Sequence, residues 1–192
     1  MLSSVPQLVP ERRARQSRPY ARSSATSCPH LRLVEPVNEL PIELRGRDPD
    51  LIRRAFPLLA RVVDSYFRME VEGTEHLDDG ACMIVSTHNG SWATPDLYGL
   101  MVTFLRRFGL ETPAVALMHD VVFKFPVVGD LLRRVGAIPA GHRNARTVLR
   151  SGFPLLVCPG GDIDSLKPFS RRHQITFGQR RGFIRTALRE QV

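Results

Sequence analysis

The chain has 192 residues, 43% of them hydrophobic and 24% charged, which suits one domain with its own core and excludes a wholly disordered polymer. Its 27 basic and 19 acidic residues leave a net charge of +8, carried almost entirely by arginine, with Lys124 and Lys167 the only lysines. That surplus favours anionic partners such as nucleic acid, acidic lipid head groups or phosphorylated cofactors, without choosing among them. Cys28, Cys82 and Cys158 are odd in number and show no CxxC spacing, so a reducing, cytosolic setting is expected. No apolar run approaches the roughly 18 to 20 residues that span a bilayer, and no continuous apolar stretch marks a secretory leader.

Residues 1–47 are rich in Arg, Ser and Pro and show no sustained period; they are expected to form a disordered tail. In "DLIRRAFPLLARVVDSYFRME", Ile52, Ala55, Phe56, Leu59, Val62, Val63 and Tyr66 recur at helical spacing, with Arg54, Arg61 and Arg68 on another side. This pattern predicts an amphipathic helix, kinked near Pro57. It either packs on its own domain or lies on an anionic membrane. "ACMIVS" (81–86) reads as a buried strand. Thr94 as N-cap and Pro95 at the first helical position then open a helix to about Phe108. "PAVALMH" (113–119) is a second strand, and Pro126 starts a helix that ends near Val135, with Gly136 in a left-handed position. A short strand at "GAIPA", a helix over 142–151, a strand at "PLLVCP" (154–159) and a final helix in "GQRRGFIRTALREQ" complete the pattern.

Alternating helices and continuous apolar strands predict an α/β domain over residues 48–192, with a largely parallel central sheet flanked by helices. Ligands of such sheets gather at the strands' carboxyl ends. There His88 follows one strand and Pro159-Gly160-Gly161 another, so the two loops share an edge and are expected to build one site. A histidine takes up a proton near neutral pH, and a carboxylate on its second ring nitrogen fixes its tautomer; Asp96, in the first turn of the following helix, is the candidate. A polar turn built on Asn89-Gly90, in which His88 only hydrogen-bonds, is the competing reading. His119 with Asp120 is a second possible acid–base pair, whereas His142 reads as a solvated helix start and His173 sits among Arg171 and Arg172. "PGGDID" is a weak anion-nest pattern. No Walker or GxGxxG framework occurs, and no His, Cys, Asp and Glu set has metal-ligand spacing.

Taken in order, "VSTHNGSWATPD", "FPVVGDLLRRVGAIPAGHRNA", "LLVCPGGDID" and "ITFGQRRGFIRTALRE" resemble the blocks of the glycerolipid acyltransferase family, which includes lysophospholipid and 1-acylglycerol-phosphate acyltransferases. The resemblance covers roughly residues 50–192. It implies a general-base histidine at His88 and an orienting aspartate, which here stands at His-x7-Asp, as Asp96, rather than at the family's His-x4-Asp. It further implies substrate contacts from Asn89, Gly90, Arg143, Pro159, Gly160, Gly161 and Asp164. Pro-Gly-Gly replaces the family's Pro-Glu-Gly and is similar to the mono- and diacylglycerol acyltransferase-like branch, with Asp164 in place of a glutamate.

What the resemblance implies is acyl transfer from acyl-CoA or acyl carrier protein, as co-substrate rather than cofactor, to a lipid hydroxyl, with no metal. Arginines around 133–146 and 171–181 are candidates for the carrier's phosphates. Peripheral contact with the inner face of the membrane through residues 50–68 is expected, with no nucleic acid bound. The family's next strand is expected beyond Val192, so the domain reads as incomplete at that end. Two other functions compete: a catalytically inactive, membrane-associated lipid-binding domain, and an Arg-rich nucleic-acid-binding protein that rests on charge alone.

Overall fold

The computed structural model describes residues 44–88 and 94–192; most of the expected tail, together with Asn89 and Gly90, lies outside the described residues. The elements follow the predicted order. They are α1 (Pro49–Arg61), β1 (Met83–Val85), α2 (Pro95–Phe108), β2 (Val115–Met118), α3 (Pro126–Arg134), β3 (Ala137–Pro139), α4 (His142–Arg150), β4 (Leu155–Val157), a short α5 (Gly161–Ser165) and α6 (Gly182–Glu190). The four strands form one sheet in the order β1-β4-β2-β3, and every neighbouring pair is parallel. All four carboxyl ends therefore lie on one edge.

Alternate strand residues face opposite sides of the sheet, and both sides are covered. Met83, Val115, Leu117, Leu155 and Val157 pack with Ala145, Val148 and Leu149 of α4 and Phe183 of α6. Ile84 and Ala114 pack with Phe104 and Leu105 of α2 and with Ile52 and Phe56 of α1. Leu44, which the sequence reading left in the tail, is 1% exposed in the first of these clusters, a burial that contributes about 2 kcal/mol. Arg47 extends the tie by donating to the carbonyls of Leu110 and Thr112. The packed domain thus includes residues 44–47.

Asp48 caps α1 by accepting from the Leu51 N–H. The helix carries Pro57 in its interior and passes into a π-helical turn at Val62–Tyr66. Part of its apolar side is spent within the domain: Ile52, Ala60 and Val63 are buried, and Val63 packs with Val102 of α2, whereas Leu58, Val62 and Tyr66 are exposed. Two details differ from expectation. Thr94 sits at the N-cap of α2 but has φ 32° and makes no side-chain cap bond, and a 3-10 turn, Asp120–Lys124, stands between β2 and α3. Gly136 does adopt a left-handed φ of 99° after α3; a Cβ there would lie 2.6 Å from the Ala114 carbonyl oxygen.

Candidate active site

β1 and β4 are hydrogen-bonded neighbours, with Val85 opposite Val157, and the pairing continues as the Ser86 N–H donates to the Val157 carbonyl at 2.9 Å. The loops beyond them are consequently side by side. They are joined by a buried carboxylate: the His88 backbone N–H donates to Asp164 Oδ2 at 2.7 Å. Oδ1 accepts from Lys167 Nζ at 2.9 Å and from the Thr176 N–H at 3.4 Å. Asp164 is fully buried. Burial alone would raise its carboxyl, but the His88 N–H, the Lys167 ammonium and the Thr176 N–H outweigh it and hold the group below its ordinary value. Gly160 makes room for this knot, since a Cβ there would collide with the Asp164 side chain and lie 2.7 Å from the Thr176 carbonyl oxygen.

The structure thus brings His88, Pro159, Gly160, Gly161 and Asp164 together, as the shared edge requires. Asp164, though, stands behind the site with its oxygens engaged, while His88, Pro159 and Gly161 line the cavity in front. Gly161 has its N–H committed to the Cys158 carbonyl, so it is not a free donor of the expected anion nest. Arg180 spans the Gly160 carbonyl and the Asp162 carboxylate.

Among the described residues no hydrogen bond joins Asp96 to His88. His88 Nδ1 and both Asp96 carboxylate oxygens are instead buried, and among the described residues none of the three has a hydrogen-bond partner. Asp96 is close enough to Cys158 to act on it: burial, then the Asp96 and Asp164 charges, push the Cys158 thiol up to about 12. Cys158 Sγ also lies 4.0 Å from the Thr87 carbonyl oxygen. The N-terminus of α2, the β4 carboxyl end and the residue before His88 accordingly converge.

In front of His88 opens a cavity of about 780 Å³, within the usual range for small-molecule sites. Apolar side chains dominate its wall, among them Leu97, Met101 and Phe104 of α2, Leu117 and Met118 of β2 and Leu156 of β4. Sequence reasoning missed this void because it lies between elements. Two further histidines reach its lining. His119 Nδ1 accepts from the Val121 N–H at 3.2 Å and so caps the 3-10 turn, which ties this ring to the backbone rather than to Asp120. His142 is exposed at the start of α4, as expected of a solvated helix start, and its Nδ1 lies 3.0 Å from the hydroxyl of Thr186, a buried residue. Arg143 is exposed at the start of α4 and is not part of the cavity wall. Lys167 and Thr176 were also missed as partners of Asp164, although the i,i+3 spacing of Asp164 and Lys167 is a readable signal. Among the described residues no group of three or more metal-ligating side chains occurs, and no helix is long and apolar enough to cross a membrane.

No family model and no solved structure matches the chain. It is similar to an uncharacterized protein of Mycobacterium tuberculosis, 34% identical over 134 residues, covering 69% of this chain and 37% of that protein. A further uncharacterized protein, of Mycobacterium leprae, is 33% identical over 137 residues, covering 69% and 36%. A mouse protein named DGAT1/2-independent enzyme synthesizing storage lipids is 32% identical over 124 residues, covering 64% of this chain and 36% of the mouse protein. The chain spans little more than a third of the length of these relatives. It is thus a distant relative, over part of their length, of a protein named as a lipid-synthesizing enzyme.

Proposed function

We propose that the chain carries the acyl-transfer site of a lipid O-acyltransferase, which moves a fatty acyl group from acyl-CoA or acyl carrier protein to a lipid hydroxyl with His88 as general base. The observation that carries this reading is the position of His88 at the carboxyl edge of a parallel sheet, tethered by its own N–H to buried Asp164 and opening on a large apolar cavity. Resemblance of the four sequence blocks and the name of the mouse relative support it. On this reading a His88 ring nitrogen takes the proton of the acceptor hydroxyl while its oxygen attacks the thioester carbonyl. The tetrahedral oxyanion collapses to the ester and expels the thiolate, which takes the proton from the imidazolium, so no acyl-enzyme forms. Asp96 accepts a hydrogen bond from the Nδ1–H of His88 in the reactive arrangement: a buried donor and a buried acceptor that both lack partners among the described residues are complementary, and leaving each unpaired costs about 1–3 kcal/mol.

Asn89, Gly90, Pro159, Gly160 and Gly161 would line the approach of the reacting groups, and Arg143 an anionic part of a substrate. The acceptor is a neutral glycerolipid or other lipid alcohol, met at the inner face of the membrane. The test is CoA release from long-chain acyl-CoA with lysophospholipid, monoacylglycerol and diacylglycerol acceptors, comparing the chain with its His88→Ala variant. Acceptor-dependent release that vanishes in the variant is expected. Release unchanged by the substitution would refute the role of His88.

One observation favours a second reading, a catalytically inactive lipid-binding domain: His88 and Asp96 are not hydrogen-bonded to each other. A folded chain that binds lipid equally well with and without His88, and releases no CoA, would support it.

A further inference from the structure

The parallel sheet sends every loop that follows a strand to the edge where the cavity opens. One of these, the segment from α5 to α6, carries an unusual surface. Leu166, Phe169 and Ile175 are 67%, 79% and 67% exposed, and residues 168–175 are exposed throughout. Their neighbours are basic. Lys167 and Arg180 are engaged by Asp164 and Asp162, but among the described residues Arg171, Arg172 and Arg181 have no carboxylate partner, which leaves three positive charges beside three exposed apolar side chains. The Arg172 guanidinium lies 4.1 Å from the centre of the Phe169 ring, so cation and aromatic are presented as one unit. Leu166 and Arg180 belong both to this surface and to the cavity wall.

We infer that residues 166–181 form the surface by which the protein docks on an anionic lipid bilayer, with Leu166, Phe169 and Ile175 entering the head-group and acyl boundary and Arg171, Arg172 and Arg181 pairing with lipid phosphates. Apolar side chains of this kind gain by leaving water, whereas guanidinium groups gain by facing negative head groups. An anionic bilayer supplies both environments across one plane. The site fits the cavity as well: a lipid reaching the mouth from this surface slides its tail from one apolar medium into another and does not cross water. Residues 50–68 also expose Leu58, Val62 and Tyr66 beside Arg54, Arg61 and Arg68, but none of these lines the cavity, whereas Leu166 and Arg180 do, so a lipid held there would have no apolar path to the mouth. The inference does not depend on the chemistry at His88, and its test reads binding, so the two can fail separately.

The test is sedimentation of the chain with phosphatidylcholine vesicles, with and without phosphatidylglycerol. Each basic residue at an anionic surface contributes about a fivefold gain in partitioning, so Arg171→Ala with Arg172→Ala is expected to weaken binding to the anionic vesicles about 25-fold. Phe169→Ser with Ile175→Ser is expected to weaken it at least about tenfold, whereas Leu58→Ser with Tyr66→Ser, at exposed positions on α1 and its π-helical extension, changes it less than about twofold. If a double variant melts below the wild type, Phe169→Trp is read instead: its added fluorescence is expected to be quenched by brominated phosphatidylglycerol vesicles. Any of four results would overturn the inference: no vesicle binding by the wild type, binding insensitive to the 169–175 variants, a larger loss in the α1 pair, or a self-associated form in which Phe169→Trp is shielded from the lipid.

Discussion

Replacing Asp164 by alanine removes a buried carboxylate that joins His88 to the segment after β4. The perturbation can be sized from the contacts. Asp164 is 0% exposed and the Lys167 side chain 11%, so losing the carboxylate strands an ammonium whose remaining bond is to the Gln174 carbonyl at 3.0 Å. Breaking such a pair from one side costs about 3–5 kcal/mol, against a typical total stability of about 5–15 kcal/mol. Asp164→Asn keeps an acceptor for the His88 N–H and loses only the charge, so it should cost about 1.5–3 kcal/mol. Asp164→Asn with Lys167→Met removes both charges and should recover about 1–3 kcal/mol of the summed single losses. The assay is denaturant unfolding followed by far-UV circular dichroism. Acid adds a check of sign. With the folded carboxyl held below its ordinary value of 3.8, the native state binds fewer protons than the unfolded one, so this contribution is present above about pH 4 and is lost as pH falls. A cost below about 1 kcal/mol for Asp164→Ala, or strict additivity in the cycle, would refute the reasoning.

Three other outcomes follow from the contacts. With its thiol at about 12 rather than the ordinary 9.0, Cys158 should alkylate about a thousandfold more slowly at pH 8 than an ordinary thiol. Asp96→Asn should speed it, because one of the charges that disfavours the thiolate is gone; alkylation unchanged by that substitution, read by peptide mass spectrometry, would contradict the placement of Asp96. Glu190, almost buried, accepts from Arg146 and Arg150 of α4, and burial, which alone would raise its carboxyl, is outweighed by those two arginines. Glu190→Gln should loosen α6 from α4 by about 1–2 kcal/mol, seen as a lower unfolding midpoint. Gly129→Ala places a Cβ 2.9 Å from the Phe123 backbone, which has no flexible end to give way, and should lower stability by about 1–3 kcal/mol; an unchanged melting temperature would show that the Phe123 turn adapts.

The sheet was legible because its strands are continuous apolar runs closed by Pro and Gly, and because alternation with helices leaves few arrangements other than a parallel sheet. Gly136 announced the end of α3 through a conformation that side chains resist. Short elements carried too few residues to show a period, which is why α5 and the turn at Asp120–Lys124 went unread. Thr94 has the residue type of a cap and sits in the right place, yet its backbone is left-handed and its hydroxyl makes no cap bond, so composition there overstated the contact. The nearness of His88 to Pro159-Gly160-Gly161 was readable from the carboxyl-edge rule. What Asp164 does was not, since it depends on the missing Cβ of Gly160 and on the Thr176 backbone, twelve residues away in sequence. Leu44 stands in a stretch whose composition reads as tail, and only the pocket it fills shows that it belongs to the core.

Acyl transfer itself is the most direct test of the account. Incubating the chain with labelled long-chain acyl-CoA and a diacylglycerol or monoacylglycerol acceptor, and detecting the acylated lipid by mass spectrometry alongside His88→Gln, reads product rather than thioester loss alone. The account predicts a labelled ester from the wild type and none from a His88→Gln chain that melts at the same temperature. Ester formed equally by both chains, or by neither while both remain folded and bind vesicles, would contradict it.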